Sequence, residues 1–318
     1  MDENKNILPS GEPNENNKIT PGSNIVPKIS PVLAAFIGLF GGFILYQGVG
    51  GLLNLAVFGF DLQNAPVNSV RLMTIAGQIL FMLLPSLVFA KTIYEDVGYI
   101  IRFKLPDWEE IFLFTIGLAI LTPLMEYFLT IQNHFFELWS ANSNFIHSIK
   151  IFLDRLNDLV DKTYGNLLSA SSVFDGILVV IVAAAVPAIC EEVMFRGFIQ
   201  KSFEFKLKPF TSALVTAIFF GIYHFNPYAL IPLIGLGLYF GFAAYKSGSI
   251  FVPISLHFIN NFMAVIFYFI FGNDDVINSA VNKSFDLSSS LMIFCGLSVL
   301  FAGTLMLIKR YYSRKYSY

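Results

Sequence analysis

Long apolar runs separated by short polar segments make up most of this chain. Eight windows are apolar on every side for about the length that crosses a hydrocarbon core of roughly 30 Å. They are 32–59, 70–90, 110–131, 173–190, 210–226, 228–245, 250–272 and 288–308. Because barrel strands would alternate apolar and polar residues, these runs predict helices. The predicted fold class is all-α, a polytopic membrane helix bundle with about eight transmembrane helices.

Composition agrees with a membrane protein. Of the 318 residues 55% are hydrophobic and only 13% are charged, which is too apolar for a soluble globular protein of this length. A lipid bilayer is therefore the predicted surrounding, and we expect no nucleic-acid partner.

Basic residues predict the orientation, because Lys and Arg concentrate in cytoplasmic loops. If the N-terminus is inside, fourteen of the twenty basic residues are cytoplasmic and five lie on the other side, with Arg196 left inside a span. The even number of spans then places both termini in the cytoplasm.

Three units follow from these patterns. Residues 1–30, rich in Asn, Pro, Gly and Ser, predict a disordered cytoplasmic tail, and no cleavable signal peptide is visible. Residues 31–310 form the predicted bundle, and 311–318 form a basic cytoplasmic tail. An eight-span chain with an Asn-rich tail and no organelle signal favours a bacterial plasma membrane.

One further helix is predicted outside the spans. Between 145 and 160 apolar residues recur every three or four positions, with charged residues on the opposite side. This pattern is typical of an amphipathic helix that rests on the outer leaflet or caps the bundle.

The first candidate site is the sequence CEEVMFR at 190–196, directly after a strongly apolar run. Glu192 and Arg196 are four residues apart and share a helix face, so they can form an ion pair, while Glu191 points about 100° away. Ionisable residues inside a membrane segment indicate function, since each costs at least ~2.5 kcal/mol to insert. Pro187 removes a backbone hydrogen bond just before the acids. We interpret the neighbouring Cys190 as small apolar packing.

Two further clusters lie on later spans. His224 ends the fifth apolar run, and His257 and Asn261 are four residues apart in the seventh, so this pair can donate to one target. In a hairpin turning near 207–208, Glu191 and His224 are equally far from the turn. His257 is only about nine residues beyond its own turn, so it matches that depth only if the first hairpin protrudes or kinks, which Pro187 allows.

Together these groups suggest hydrolysis. A carboxylate and a histidine that share a water molecule can act as a general base, and further donors can stabilise the oxyanion formed on an amide carbonyl. The predicted reaction is peptide-bond hydrolysis in a membrane-embedded cavity open to the cytoplasm. The predicted partner is a peptide or protein substrate that reaches the site from the membrane or the cytoplasm.

In this order, Glu-Glu-x-x-x-Arg, Phe-x-x-x-His and His-x-x-x-Asn resemble the CAAX protease and bacteriocin-processing family. That family includes the Ras-converting prenyl protease and the lysostaphin resistance protein A group. The resemblance implies a catalytic core at about 173–272, in which Glu191 activates water with His224. It also implies that His257 and Asn261 stabilise the oxyanion.

The resemblance further implies that Glu192 and Arg196 support the catalytic groups. It favours a glutamate mechanism without a cofactor; the alternative is zinc held by Glu191, His224 and His257, a three-ligand set of the kind found in catalytic zinc sites. Two other readings remain open. One is a non-catalytic immunity or scaffold protein, and the other is a transporter, since buried Glu and His also form proton relays.

Overall fold

The fold is a bundle of helices, confirming the predicted all-α class. A computed structural model describes residues 25–59, 65–278 and 286–315, with the backbone alone described for 272–278. We label nine long helices of this part in chain order: α1 Pro31–Phe58, α2 Val67–Tyr94, α3 Trp108–Asn142, α4 Asn144–Leu168, α5 Val173–Glu204, α6 Pro209–Tyr223, α7 Leu230–Ser247, α8 Phe251–Asn278 and α9 Leu287–Lys315.

The predicted count of about eight spans needs correction. Within the described residues seven helices are long and apolar enough to cross a membrane, and the chain is a multi-pass membrane protein. Helix α6 has only 15 residues, and at 1.5 Å per residue it rises about 22 Å, short of a core of roughly 30 Å. Helix α4 has the predicted amphipathic pattern and follows α3 after a single residue.

One end of the bundle collects both termini of the described chain. We call it the terminal face and define it by Lys28, the segment 95–107, the turns 205–208 and 248–250, and Lys315. Lys28 pairs with Glu95 at 2.9 Å and Lys315 pairs with Asp107 at 2.5 Å. The opposite end carries α4 and the loop 224–229, and we call it the α4 face.

Parts of the two predicted tails lie within the bundle. Residues 1–24 and 316–318 fall outside the described residues. Lys28 donates its backbone N–H to the Ile93 carbonyl at 3.0 Å, and Ile25 and Ile29 pack against buried residues. Residues 311–315 continue helix α9 to Lys315.

Two hydrophobic cores make up the interior. The first joins α1, α2, α5 and α6 around Phe195 and Phe198, and the second joins α3, α7, α8 and α9 around Phe114 and Phe240. Both hairpins, α5 with α6 and α7 with α8, therefore meet along the seam between the cores. The candidate residues lie on α5, on α8 and directly after the end of α6.

Small residues bring α6 and α7 close together. Gly237 and Gly241 on α7 face Ala217 and Ala213 on α6, each pair four residues apart. A Cβ atom on Gly237 would lie 3.3 Å from the Ala217 Cα and 3.0 Å from the Phe220 ring. Such small-xxx-small faces are typical of packed membrane helices, because lipid supplies no hydrophobic drive for helix association.

We expect Gly237→Val to destabilise the protein by about 1–3 kcal/mol, since the new side chain must push against the α6 backbone. Gly303→Val on α9 is the matched control, because no atom lies within 4 Å of its added Cβ. The measurement is the free energy of unfolding in detergent micelles. Equal losses in the two variants would contradict close α6 to α7 packing.

Candidate active site

Helix α5 carries both glutamates past a proline in mid-helix. Because Pro187 has no N–H, the carbonyl of Ala183 one turn earlier lacks its α-helical donor. The side chain of Asn261 on α8 fills this role, with Nδ2 donating to the Ala183 oxygen at 3.0 Å. The proline therefore fixes where α8 attaches to α5.

The ion pair predicted from spacing is present. Arg196 Nη1 lies 2.8 Å from Glu192 Oε1, and both side chains are fully buried. Arg196 Nη2 donates to the Gly237 carbonyl at 3.0 Å, and the guanidinium lies 4.3 Å from the centre of the Phe220 ring. The guanidinium of Arg196 thus connects α5 to α6 and α7 across the seam.

His257 joins this pair rather than Glu191. Its Nδ1 lies 2.8 Å from Glu192 Oε1, and the residue is 3% exposed. The shorter distance of His257 from its turn does not prevent α8 from reaching Glu192 on α5. The turn before α8 is itself buried, with Ile250 donating to the Arg102 carbonyl at 2.9 Å, so α8 begins inside the bundle.

Glu191 and His224 form the second pair. His224 Nδ1 lies 2.7 Å from the Phe220 carbonyl, and because a carbonyl only accepts, Nδ1 carries the proton and a neutral ring keeps a lone pair on Nε2. Nε2 lies 4.0 Å from Glu191 Oε2, with 22% and 14% of the two side chains exposed. This distance is too long for a direct hydrogen bond. The equal depth predicted for these two residues is found.

Asn261 is oriented by a chain of amide contacts. Asn260 Nδ2 donates to Asn261 Oδ1 at 3.2 Å, which turns the Asn261 nitrogen toward Ala183. Thr122 on α3 approaches Asn260 Oδ1 at 3.5 Å. The two expected oxyanion donors, His257 and Asn261, therefore each hold one fixed partner already instead of converging on a single atom.

The alternative zinc ligands do not form a metal site as arranged. In the described part of the chain no group of three or more His, Cys, Asp or Glu is placed to hold a metal ion. Glu191 and His224 belong to one pair, while Nδ1 of His257 is held by Glu192. We therefore assign no step to a metal.

Two further polar side chains, Gln200 and Arg102, support α5 toward the terminal face, and neither was among the predicted site residues. Gln200 donates to the Gly241 carbonyl at 3.0 Å, one turn beyond the contact of Arg196 with Gly237. Arg102, from the segment between α2 and α3, donates to the Arg196 carbonyl at 3.2 Å. The same Arg102 pairs with Glu204 at 2.7 Å. The four-residue spacing of Gly237 and Gly241 is a pattern from which the contact of Gln200 could have been found, whereas no local pattern around Arg102 indicates its contacts.

The described parts of α1, α2 and α5 contain six π-helical stretches. One of them, Val193–Ile199, contains Arg196, directly follows the two glutamates and is entirely buried.

Comparison with known proteins shows which family the region of the candidate site resembles. Residues 173–263 match the family model described as type II CAAX prenyl endopeptidase Rce1-like. The matched segment is Rce1-like. It contains all six candidate residues, and it confirms the resemblance inferred from the three motifs.

A curated relative matches nearly the same length. The protein named "Putative membrane peptidase YdiL" from Bacillus subtilis (strain 168) is 33% identical over 89 residues, which are 28% of this chain. The match spans 36% of the relative's own length. No solved structure matches the chain. The Rce1-like segment 173–263 covers α5, α6, α7 and the first part of α8. The bacterial source of the relative agrees with the prediction of a bacterial membrane.

Proposed function

We propose that this protein is a membrane-embedded endopeptidase of the CAAX prenyl protease type. The observation that carries the proposal is the pair formed by Glu191 and His224, in which the buried Oε2 of Glu191 has no hydrogen-bond partner among the described residues and faces an imidazole lone pair at 4.0 Å. Two acceptors at this distance can each take one hydrogen bond of about 2.8 Å from the same water molecule. The Rce1-like segment and the membrane peptidase relative support the same reaction class.

In this mechanism the water attacks the carbonyl carbon of a peptide bond. Glu191 accepts one proton from the water as the new C–O bond forms, and the carbonyl π electrons move to the oxygen. His224 orients the water through Nε2. The proton is then delivered to the departing amine nitrogen as the C–N bond breaks, so the enzyme returns to its starting state.

The oxyanion would be stabilised from α8. Asn261 Nδ2 has a second N–H beyond the one used at Ala183. His257 can donate through Nε2 only when the ring carries both protons, because its Nδ1–H is given to Glu192. The Glu192 carboxylate would balance that positive charge.

Glu192 and Arg196 act as positioning residues in this proposal. Glu192 fixes the ring of His257, and Arg196 fixes Glu192 against the Gly237 carbonyl. Because all of these groups are buried, their geometry is set before substrate binds, which lowers the reorganisation needed in the transition state.

The test compares peptide C-termini in membranes from cells that express the wild type or Glu191→Gln. We expect a set of C-termini that appears only with the wild type, and their sequences would define the substrate. Cys190→Ala serves as the matched control at the adjacent position and should give the wild-type set. Identical C-termini in all three membranes, at equal protein levels, would favour a non-catalytic scaffold.

A further inference from the structure

Helix α6 is shorter than a full membrane span. It ends at Tyr223 after 15 residues, so its rise is about 8 Å less than a hydrocarbon core of roughly 30 Å, and the loop 224–229 follows it. Helix α4 lies over this loop. The Tyr228 hydroxyl donates to Asp154 of α4 at 2.5 Å, and Gln132 of α3 donates to the Tyr228 carbonyl at 3.0 Å.

An ion pair with α3 supports the first half of α4, and a second pair lies within α4 itself. Lys150 lies 3.1 Å from Glu137 of α3 and 2.9 Å from Asp154. Burial raises the pKa of Asp154, but the hydrogen bond from Tyr228 and the contact with Lys150 outweigh burial and lower it. Asp154 therefore stays ionised at neutral pH, and the contacts with α3 and the loop persist.

The end of α4 is bound to α2. The buried side chain of Arg71 donates to the Leu167 carbonyl at 2.9 Å and also to the Ser169 carbonyl. A cation at free carbonyl groups stabilises a helix C-terminus. Close to this end is Tyr164, which is 47% exposed as a residue. Burial and the charge of Glu191 raise the pKa of Tyr164. Helix α4 thus runs from the loop that follows His224 to the first half of α2.

The other side of the site is closed. From Val193 to Ile199 every residue of α5 is buried. Gln200 and Ser202 are also fully buried, and Tyr94 donates to Ser202 at 2.8 Å. More than two helical turns of packed protein therefore separate Glu191 from the terminal face. Glu191 and His224 are therefore closed off toward that face.

We propose that substrate enters from the α4 face, passing beneath α4, and not from the face that holds the termini. In the predicted orientation the α4 face is the outer side of the membrane. The substrates would then be exported peptides or extracellular segments of membrane proteins, in place of the cytoplasmic route expected from the sequence. This inference rests on the proposed function, since it names the substrate class of the same site.

Thiol labelling tests the route without any need for catalysis. Glu191→Cys is made in a background with Cys190→Ala and Cys295→Ser, and a membrane-impermeant maleimide is applied to intact spheroplasts or to inside-out vesicles. Lys315→Cys in the same background marks the terminal face. We expect the two thiols to be labelled from opposite sides of the membrane. Labelling of both from the same side, or labelling of Glu191→Cys only after denaturation, would overturn the proposal.

The contact between α4 and the loop gives a second measurement. Tyr228→Phe removes the hydroxyl that holds Asp154, so we expect Glu191→Cys to react at least threefold faster with the maleimide. Tyr245→Phe, at an exposed tyrosine of α7, is the matched control and should leave the rate unchanged. Equal rates in both variants would show that α4 does not cover the route. If labelling succeeds and no cleavage is found, the proposed function fails while the route stands.

Discussion

Glu191→Gln is expected to lower kcat/KM for peptide hydrolysis by about 10²–10⁴-fold, the usual contribution of a general base. The amide keeps the size of the side chain but cannot accept the proton of water. His224→Gln should cause a loss of similar order. Because both residues act on one water molecule, the double variant should be about as slow as the slower single variant. The assay uses purified protein and a fluorogenic peptide that carries a sequence identified from the membrane C-termini.

The control for this result is Cys190→Ala, which changes a buried neighbour of Glu191. Its kcat/KM should stay within about threefold of the wild type, since a lost sulfur atom alters packing and not proton transfer. A large loss of activity in Cys190→Ala, with activity retained in Glu191→Gln, would show that the reaction depends on a thiol nucleophile and not on the Glu191 carboxylate. Correct insertion is checked by protease protection of the loops.

Arg196→Met is expected to lower the free energy of unfolding by about 3–5 kcal/mol, because it leaves Glu192 buried without its cation. The lost contacts also include the Gly237 carbonyl and the Phe220 ring. Unfolding in mixed detergent micelles measures the loss. Glu192→Gln in addition should restore part of the stability, since removing both charges abolishes the uncompensated carboxylate.

Arg155→Met on α4 is the comparison for the arginine. Arg155 is exposed, so its replacement should change the free energy of unfolding by no more than about 0.5 kcal/mol. An Arg196→Met variant as stable as Arg155→Met would show that the buried ion pair contributes little. The partial recovery in the double variant separates the charge effect from a general packing defect.

The local patterns were sufficient for much of this protein. Helical spans follow from apolar length alone, and the ion pair of Glu192 with Arg196 follows from the i,i+4 geometry of one helix. The match in depth of Glu191 and His224 followed from counting residues on either side of one turn. Each of these inferences depends on residues that are close in sequence or joined by a single hairpin.

Errors arose where distant segments meet. Helix α6 was counted as a full span because composition does not reveal that its chain turns early, at the loop capped by α4. The attachment of His257 to Glu192 depends on a buried turn beneath the segment around Arg102, and no periodic pattern reports that contact. The same holds for Asn261 on α8. Its side chain donates to the Ala183 carbonyl on α5, which lacks its α-helical donor because of Pro187.

The sequence by itself determined that the chain lies in a membrane and which segments are helical, and it predicted six side chains as candidates for the site. It could do so because transfer free energies and helix periodicity are properties of local stretches. Only the tertiary structure decided which acid faces which histidine and which side of the site is closed. Those outcomes depend on how four helices pack against one another, through small residues and backbone carbonyls that have no distinctive sequence pattern of their own.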